Sequence, residues 1–373
     1  MKKILHIIHT PARGGGLSNF VMNYYRKIDR EKLQFDFIYF REAEDSFEDE
    51  ITELGGRMYK FISPMPGNGY KREAEEFFSA HRGEYDAVHC HALFAAAVYG
   101  PIAKKYGIKN IIQHSHSIGY GKGMLRKVRN FMLIRRGVKN ATCYMACSVG
   151  AAKFMFGEKR TRSGEVKIIP NAVDAAKYRY NSAIRNDVRR ELGIAEDALV
   201  LCHAGGFTIQ KNHRFIIEVF RRIYAANRNS YLLLAGGAGT VAGSTYESIR
   251  ELVKEYGLSD NVRFLGVRRD VNRIFIASDE FIFPSVFEGF GIVLVEAQAA
   301  GLLCFASDAV PRDAGCTELV SYMPLKLGAE VWSERLLLPE TINENRGQYA
   351  DKIRKYDINI QKKVLEDAYL SME

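Results

Sequence analysis

Between Phe287 and Glu296 the chain reads FEGFGIVLVE, with two carboxylates bracketing a Gly-Phe-Gly turn. An apolar run ending at Pro284 reads as a strand and Ile292 to Gly301 as a helix, so the N–H groups of Gly291, Ile292 and Val293 begin a helix without intrahelical acceptors. Such groups suit an anion. Glu288 falls on the loop beside that helix start and Glu296 about one turn inside it, so both carboxylates can address one ligand. A carboxylate only accepts hydrogen bonds, which suits it to hydroxyl groups such as those of a sugar. Two further stretches fit the same chemistry. Gln210-Lys211-Asn212-His213 follows a strand and opens a helix, where a lysine meets a phosphate as a point charge. Gly14-Gly15-Gly16 also sits between strand and helix, where glycine lets backbone N–H groups approach an anion. A solvated lysine and a plain tight turn account equally well for either stretch taken alone.

The histidines allow a different chemistry. His89-x-His91 and His114-x-His116 each place two imidazoles on one face of a strand, as in zinc and iron sites. A metal-dependent hydrolase is the competing enzyme class. Against it, no Asp or Glu lies between Ala87 and Gly157 to complete a mixed site.

The elements that must position these residues alternate between strand and helix. Lys3 to His9, Phe35 to Phe40, Ala87 to Cys90, Asn110 to Gln113 and Ala141 to Cys147 read as strands, with a helix over Leu17 to Lys27. The pattern restarts with strands at Leu199 to Ala204, Tyr231 to Ala235, Val262 to Leu265 and Glu280 to Pro284, and helices at His213 to Ala226 and Tyr246 to Tyr256. Repeated βα units favour parallel sheets covered on both faces, and two sets imply two doubly wound α/β domains. Ligands of such folds sit at the carboxyl ends of the strands, so a cleft between the domains is the expected site.

The length of 373 residues fits two domains, and 47% hydrophobic with 26% charged residues excludes disorder as the main state. No apolar run approaches the roughly 18 residues of a membrane span. The run that follows Met1 to Thr10 offers no small-residue cleavage site, so a cytoplasmic protein is expected. Six cysteines without a Cys-x-x-Cys pair argue against a disulfide framework or a zinc ribbon. The net charge of +9 is uneven: Ala87 to Gly157 holds eleven Lys or Arg and no acid. Within it, Met124 to Val138 has the look of a basic amphipathic helix suited to an anionic membrane surface; packing of its apolar stripe on its own domain is the alternative. Aromatics are not interleaved with the basic residues, so nucleic acid is not an expected partner.

The phrase EGFGIVLVEAQAAG, the Gln-Lys-Asn-His segment and the linker Ile169-Pro170-Asn171-Ala172-Val173-Asp174 together resemble the retaining nucleotide-sugar glycosyltransferases of family 4, over essentially the whole chain. Ser307 to Pro311 and Trp332 look most like the branch that builds capsular and exopolysaccharides. The resemblance implies the GT-B fold, two Rossmann-like domains facing each other across a cleft. It assigns residues 1–176 to an acceptor-side domain, 177–345 to a nucleotide-sugar-binding domain, and 346–373 to a helical segment with the first domain as a surface to pack on.

It also implies roles. Lys211 holds the donor diphosphate, Glu296 the ribose hydroxyls, and Glu288 faces the transferred sugar. The N–H groups of Phe290, Gly291 and Ile292 hold sugar and phosphate oxygens, Gly15 and Gly16 close on the diphosphate, and His116 touches the donor sugar. Glu288, His116 and Lys211 are thereby the catalytic candidates. The donor is expected to be a UDP-sugar, the acceptor a glycan or polyprenyl-linked glycan, and the location the cytoplasmic face of the cell membrane. No metal or other cofactor is implied, and no Asp-x-Asp pair is present to hold one. One departure stands out: Gly205-Gly206-Phe207 occupies the place of the family's Gly-Arg. A phosphate contact is missing there unless Arg13, Arg268 or the backbone at Gly206 compensates; Arg13 is the favoured candidate. A sugar- or membrane-binding protein without turnover is the alternative that this departure allows.

Overall fold

A computed structural model describes residues 1–372 except 14, 66, 118, 121–122, 238–243 and 339–344. Gly14 of the glycine run and Lys122 of the basic segment therefore lie outside the described residues. The chain divides into two compact units, Met1–Ala172 with Ile358–Glu373, and Val173–Asp357.

The first unit is built on a parallel sheet of order β3-β2-β1-β4-β5-β6-β7. Its strands are β1 (Lys2–Ile7), β2 (Leu33–Tyr39), β3 (Met58–Lys60), β4 (Ala87–Cys90), β5 (Asn110–Ser115), β6 (Cys143–Ala146) and β7 (Val166–Ile168). β4 is buried at every position, as a strand covered on both faces must be. One face packs on helices Gly16–Tyr25 and Ile358–Leu370 through Phe20, Tyr24, Phe35 and Tyr369. Leu5, Val88, Phe78 and Tyr99 fill the other side.

The second unit repeats the plan with order β10-β9-β8-β11-β12-β13. Its strands are β8 (Leu199–Ala204), β9 (Ser230–Ala235), β10 (Val262–Gly266), β11 (Glu280–Phe283), β12 (Leu303–Ser307) and β13 (Val320–Met323). Strands β8 and β11 and the helix His213–Ala226 match their sequence-derived bounds to within a residue, because long apolar runs ended by glycine or proline leave little freedom. The short β3 and β7, three residues each, carry too little pattern to be read.

The division between units corrects the expected domain bounds of 176/177 and 345/346. Within the Ile169 to Asp174 linker, Ile169 and Ala172 are buried in the first core, whereas Val173 joins the second and donates its N–H to the Tyr356 carbonyl at 2.7 Å. The switch thus falls between adjacent residues. At the other end, Arg346 is buried and donates to the carbonyls of Ala300 and Ser278, and Ile353 and Tyr356 complete the second core. Only from Ile358 onward does the chain belong to the first unit, where Glu366 accepts the Asp29 N–H at 2.8 Å and Tyr369 is fully buried.

Candidate active site

In both sheets the chain runs outward in opposite directions from one pair of neighbours, β8 and β11 in the second unit and β1 and β4 in the first. Loops at the carboxyl ends of such a pair splay apart and leave a crevice. Lys211 follows β8 and Glu288 follows β11, so topology brings together residues 77 positions apart. Their side chains form an ion pair, Lys211 Nζ to Glu288 Oε1 at 2.7 Å, with only 18% and 8% of the side chains exposed.

Backbone geometry holds the pair in place. Ile209–Lys211 is a single 3₁₀ turn, and Asn212 adopts φ 58° before the helix at His213 begins. Asparagine tolerates this left-handed conformation because its short amide can bond locally, and here Nδ2 donates to the Pro284 carbonyl at 3.2 Å. Gln210 ties the loops further: its carbonyl accepts the Val286 N–H at 2.9 Å and its amide donates to the Phe287 carbonyl at 3.0 Å. Lys211 Nζ also lies 4.8 Å above the Phe283 ring, a stabilising placement for a partly desolvated cation.

Gly291 precedes the helix Ile292–Ala299 with φ 87°, and a Cβ there would press within 3.1 Å of the Phe283 ring. Only glycine relieves both strains. Phe290 is buried and Ile292 partly exposed, so the helix start opens at the loop that bears Glu288. Glu296 lies inside this helix. Burial raises its carboxyl to about 7, opposed by a hydrogen bond with the Tyr178 hydroxyl. Tyr178, on the helix Ala175–Tyr178, had no sequence signal of its own.

A carboxyl protonated near neutrality has a signed consequence. Between the ordinary value of 4.5 and about 7 the folded state holds a proton that the unfolded chain has lost. Stability therefore falls as pH rises through that window and levels off above it. If the Glu296 carboxylate accepts ligand hydroxyls, affinity rises over the same range. Glu296→Gln is expected to flatten this limb of both profiles, as read by urea denaturation and nucleotide binding between pH 5 and 8.

Glycines after β8 and β9 shape the same crevice, and sequence reasoning passed over those after β9. A Cβ on Gly205 would lie 3.1 Å from the Lys211 side-chain stem, and one on Gly236 would lie 2.0 Å from the Gly205 carbonyl oxygen. At Gly206 a Cβ would meet nothing closer than the Gly237 carbonyl at 3.9 Å, so the place of the family's arginine is open. The readable signal was a second Gly-Gly pair directly after a strand, at Gly236-Gly237.

Gly15, Gly16 and His116 belong to the first unit. Gly15 caps the helix Gly16–Tyr25 in extended conformation, and a Cβ on Gly16 would touch nothing within 4 Å. Phe20 of this helix packs edge-on against His116, 4.9 Å between ring centres. Arg13 is already paired. Its guanidinium donates to the Ser46 carbonyl at 2.7 Å and to Glu50 at 3.0 Å, and stacks on Phe47. In this structure Arg13 thus braces the glycine turn, sharing Glu50 with Arg26. Arg268 is likewise paired, with Asp270 at 2.8 Å.

Residues 184–314 match the family model for glycosyl transferases group 1, and residues 14–177 that for glycosyltransferase family 4. EpsF of Bacillus subtilis (strain 168), named as a glycosyltransferase, is 32% identical over 341 residues, covering 90% of this chain and 87% of its own. The UDP-Gal:alpha-D-GlcNAc-diphosphoundecaprenol alpha-1,3-galactosyltransferase of Escherichia coli is 24% identical over 232 residues, 60% of this chain and 58% of that protein. Among solved structures, Anabaena HepE in complex with UDP and glucose superposes with a TM-score of 0.80 at 18% identity over the whole of both chains. The chain belongs to glycosyltransferase family 4 and has the GT-B fold of two parallel-sheet, Rossmann-like domains.

Proposed function

We propose that this glycosyltransferase moves a sugar from a UDP-sugar to a glycan or polyprenyl-linked glycan in surface polysaccharide synthesis, with retention at the anomeric carbon. The observation that carries the reading is the Lys211–Glu288 pair beside the open helix start at Gly291. A diphosphate offers Lys211 more charge than one carboxylate does, and preorganised donors aimed at developing charge lower the barrier to its departure. Released from Lys211, Glu288 becomes an acceptor for hydroxyls of the transferred sugar. In a retaining transfer the departing diphosphate takes the acceptor proton, so a separate base is not required. Glu296 receives ribose hydroxyls, the N–H groups of Phe290, Gly291 and Ile292 bind sugar and phosphate oxygens, and Gly15, Gly16 and His116 complete the donor contacts. The UDP complexes of HepE and the activity of the Escherichia coli relative support a UDP donor and a lipid-linked acceptor. Hydrolysis and thermal-shift screens with UDP-, GDP- and ADP-sugars test it: selective response to UDP-sugars, undiminished by EDTA, is expected. Failure of every nucleotide sugar at millimolar concentration favours the binding-protein alternative.

The reading extends to the membrane surface on the cytoplasmic side. On the helix Met124–Asn140 only Ile134 and Gly137 are buried, while Leu125 is 89% and Met124 78% exposed. The apolar stripe is therefore uncovered over its first half. Arg126, Lys127, Arg129, Arg135 and Arg136 meet no carboxylate among the described residues. Exposed apolar and basic residues on one helix suit an anionic interface, where each basic side chain adds about 1 kcal/mol. Reversing Arg129, Arg135 and Arg136 to Glu is expected to abolish co-sedimentation with phosphatidylglycerol vesicles at low salt. Undiminished binding would sink the idea.

A further inference from the structure

Five histidines converge inside the first unit. His6 on β1, His89 and His91 at the end of β4, and His114 and His116 at the end of β5 bring their rings within stacking distance of one another. Two separate hydrogen-bonded series result. In one, Tyr369 meets His89 Nδ1 at 2.6 Å and His89 Nε2 meets His114 Nδ1 at 3.0 Å. In the other, His6 Nδ1 meets His91 Nε2 at 2.9 Å and His91 Nδ1 meets His116 Nε2 at 2.9 Å. Groups of three offer nitrogens within 4.8 Å of one another, but a dication there would lie among aromatic side chains with no carboxylate to balance it, at high cost. Burial keeps the rings neutral instead, lowering His6 and His116 to about 3.

A neutral imidazole has one donor and one acceptor nitrogen. Each link in the His6–His91–His116 series needs one of each, so the three tautomers are coupled and only two fully bonded arrangements exist. In one, every ring carries its proton on Nδ1; in the other, every ring carries it on Nε2, which is the tautomer a neutral histidine side chain intrinsically prefers. At the inner terminus His6 Nε2 has no hydrogen-bond partner among the described residues, so neither arrangement gains a bond there and the intrinsic preference decides. We propose that His6 and His91 are positioning residues that hold His116 as the Nε2–H tautomer, so that its Nδ1 presents a lone pair to a ligand hydroxyl. Resting on the reading of His116 as a sugar contact, this makes the contact select a neutral hydroxyl over a carboxylate, which has no proton to donate.

The test is the ring-nitrogen spectrum of the full chain labelled with ¹⁵N-histidine at neutral pH. N–H type signals at Nε2 of His6, His91 and His116 are expected. Nδ1–H at His91 or His116, or metal-shifted nitrogens accompanied by stoichiometric zinc on elemental analysis, would overturn the proposal. His6→Leu removes the acceptor for His91 and should switch His91 and His116 to Nδ1–H, lowering UDP-sugar hydrolysis about three- to tenfold, the value of one hydrogen bond. His6→Asn keeps an acceptor and should retain wild-type tautomers and turnover. Unchanged tautomers in His6→Leu, with its fold intact, overturn the coupling. Switched tautomers with unchanged hydrolysis leave the coupling standing and overturn the placement of His116 on the sugar. Should His6→Leu fail to fold, the wild-type and His6→Asn spectra decide alone.

Discussion

Replacing Lys211 with alanine is expected to damage both folding and turnover. Glu288, 8% exposed, would lose the ammonium 2.7 Å away and remain a buried carboxylate without its counter-ion. Breaking a buried pair from one side costs about 3 kcal/mol or more, because the surviving charge is stranded. Turnover should fall by roughly ten- to a hundredfold from loss of a charge-assisted phosphate contact. The double variant Lys211→Ala/Glu288→Gln separates the two effects. Its neutral amide needs no counter-ion, so most of the stability should return while donor turnover stays low. Urea denaturation of the three proteins beside UDP-sugar hydrolysis reads both quantities. Turnover that recovers together with stability would make the pair a structural strut and remove Lys211 from the donor site.

Gly236→Ala should be nearly as harmful, although the glycine bears no functional group. Its Cβ would lie 2.0 Å from the Gly205 carbonyl oxygen and 2.6 Å from its carbonyl carbon. The obstacle is backbone rather than a flexible side chain, so the loop after β8 must move as a whole. Overpacking of this kind costs about 3 kcal/mol, which in a unit of this size lowers the melting temperature by roughly 6 to 12 °C. The displaced loop carries Lys211, so donor affinity should fall with it. Gly206→Ala is the control, with open space around its Cβ, and should melt like the wild type. Equal melting of the Gly236 and Gly206 variants would show that the loops do not approach so closely.

The same open space gives meaning to the missing arginine. Gly206→Arg meets no steric barrier at its Cβ, whereas Arg13 is held by Glu50 and Ser46. A gain in donor affinity from Gly206→Arg should therefore appear in the wild-type background, without any change at Arg13.

The alternation of apolar strands and amphipathic helices was determined by sequence, since buried parallel strands tolerate only continuous apolar runs. So were the glycines before the helix Ile292–Ala299 and the uneven charge, which are properties of residue type and order. Lys211 and Glu288 were legible as candidates for a similar reason: each lies in the loop after a strand, where βα loops place ligand contacts. Their mutual ion pair was not legible, because 77 residues separate them and only the β8–β11 adjacency closes that gap. The histidines show the same limit. Alternation along β4 and β5 put His89 with His91 and His114 with His116, but the link to His6 comes from a further strand, β1. The pairing of Arg13 was not legible, because its partner Glu50 arrives from a helix 37 residues on. Burial, ionisation and pairing depend on neighbours distant in the chain, and those were decided by tertiary structure alone.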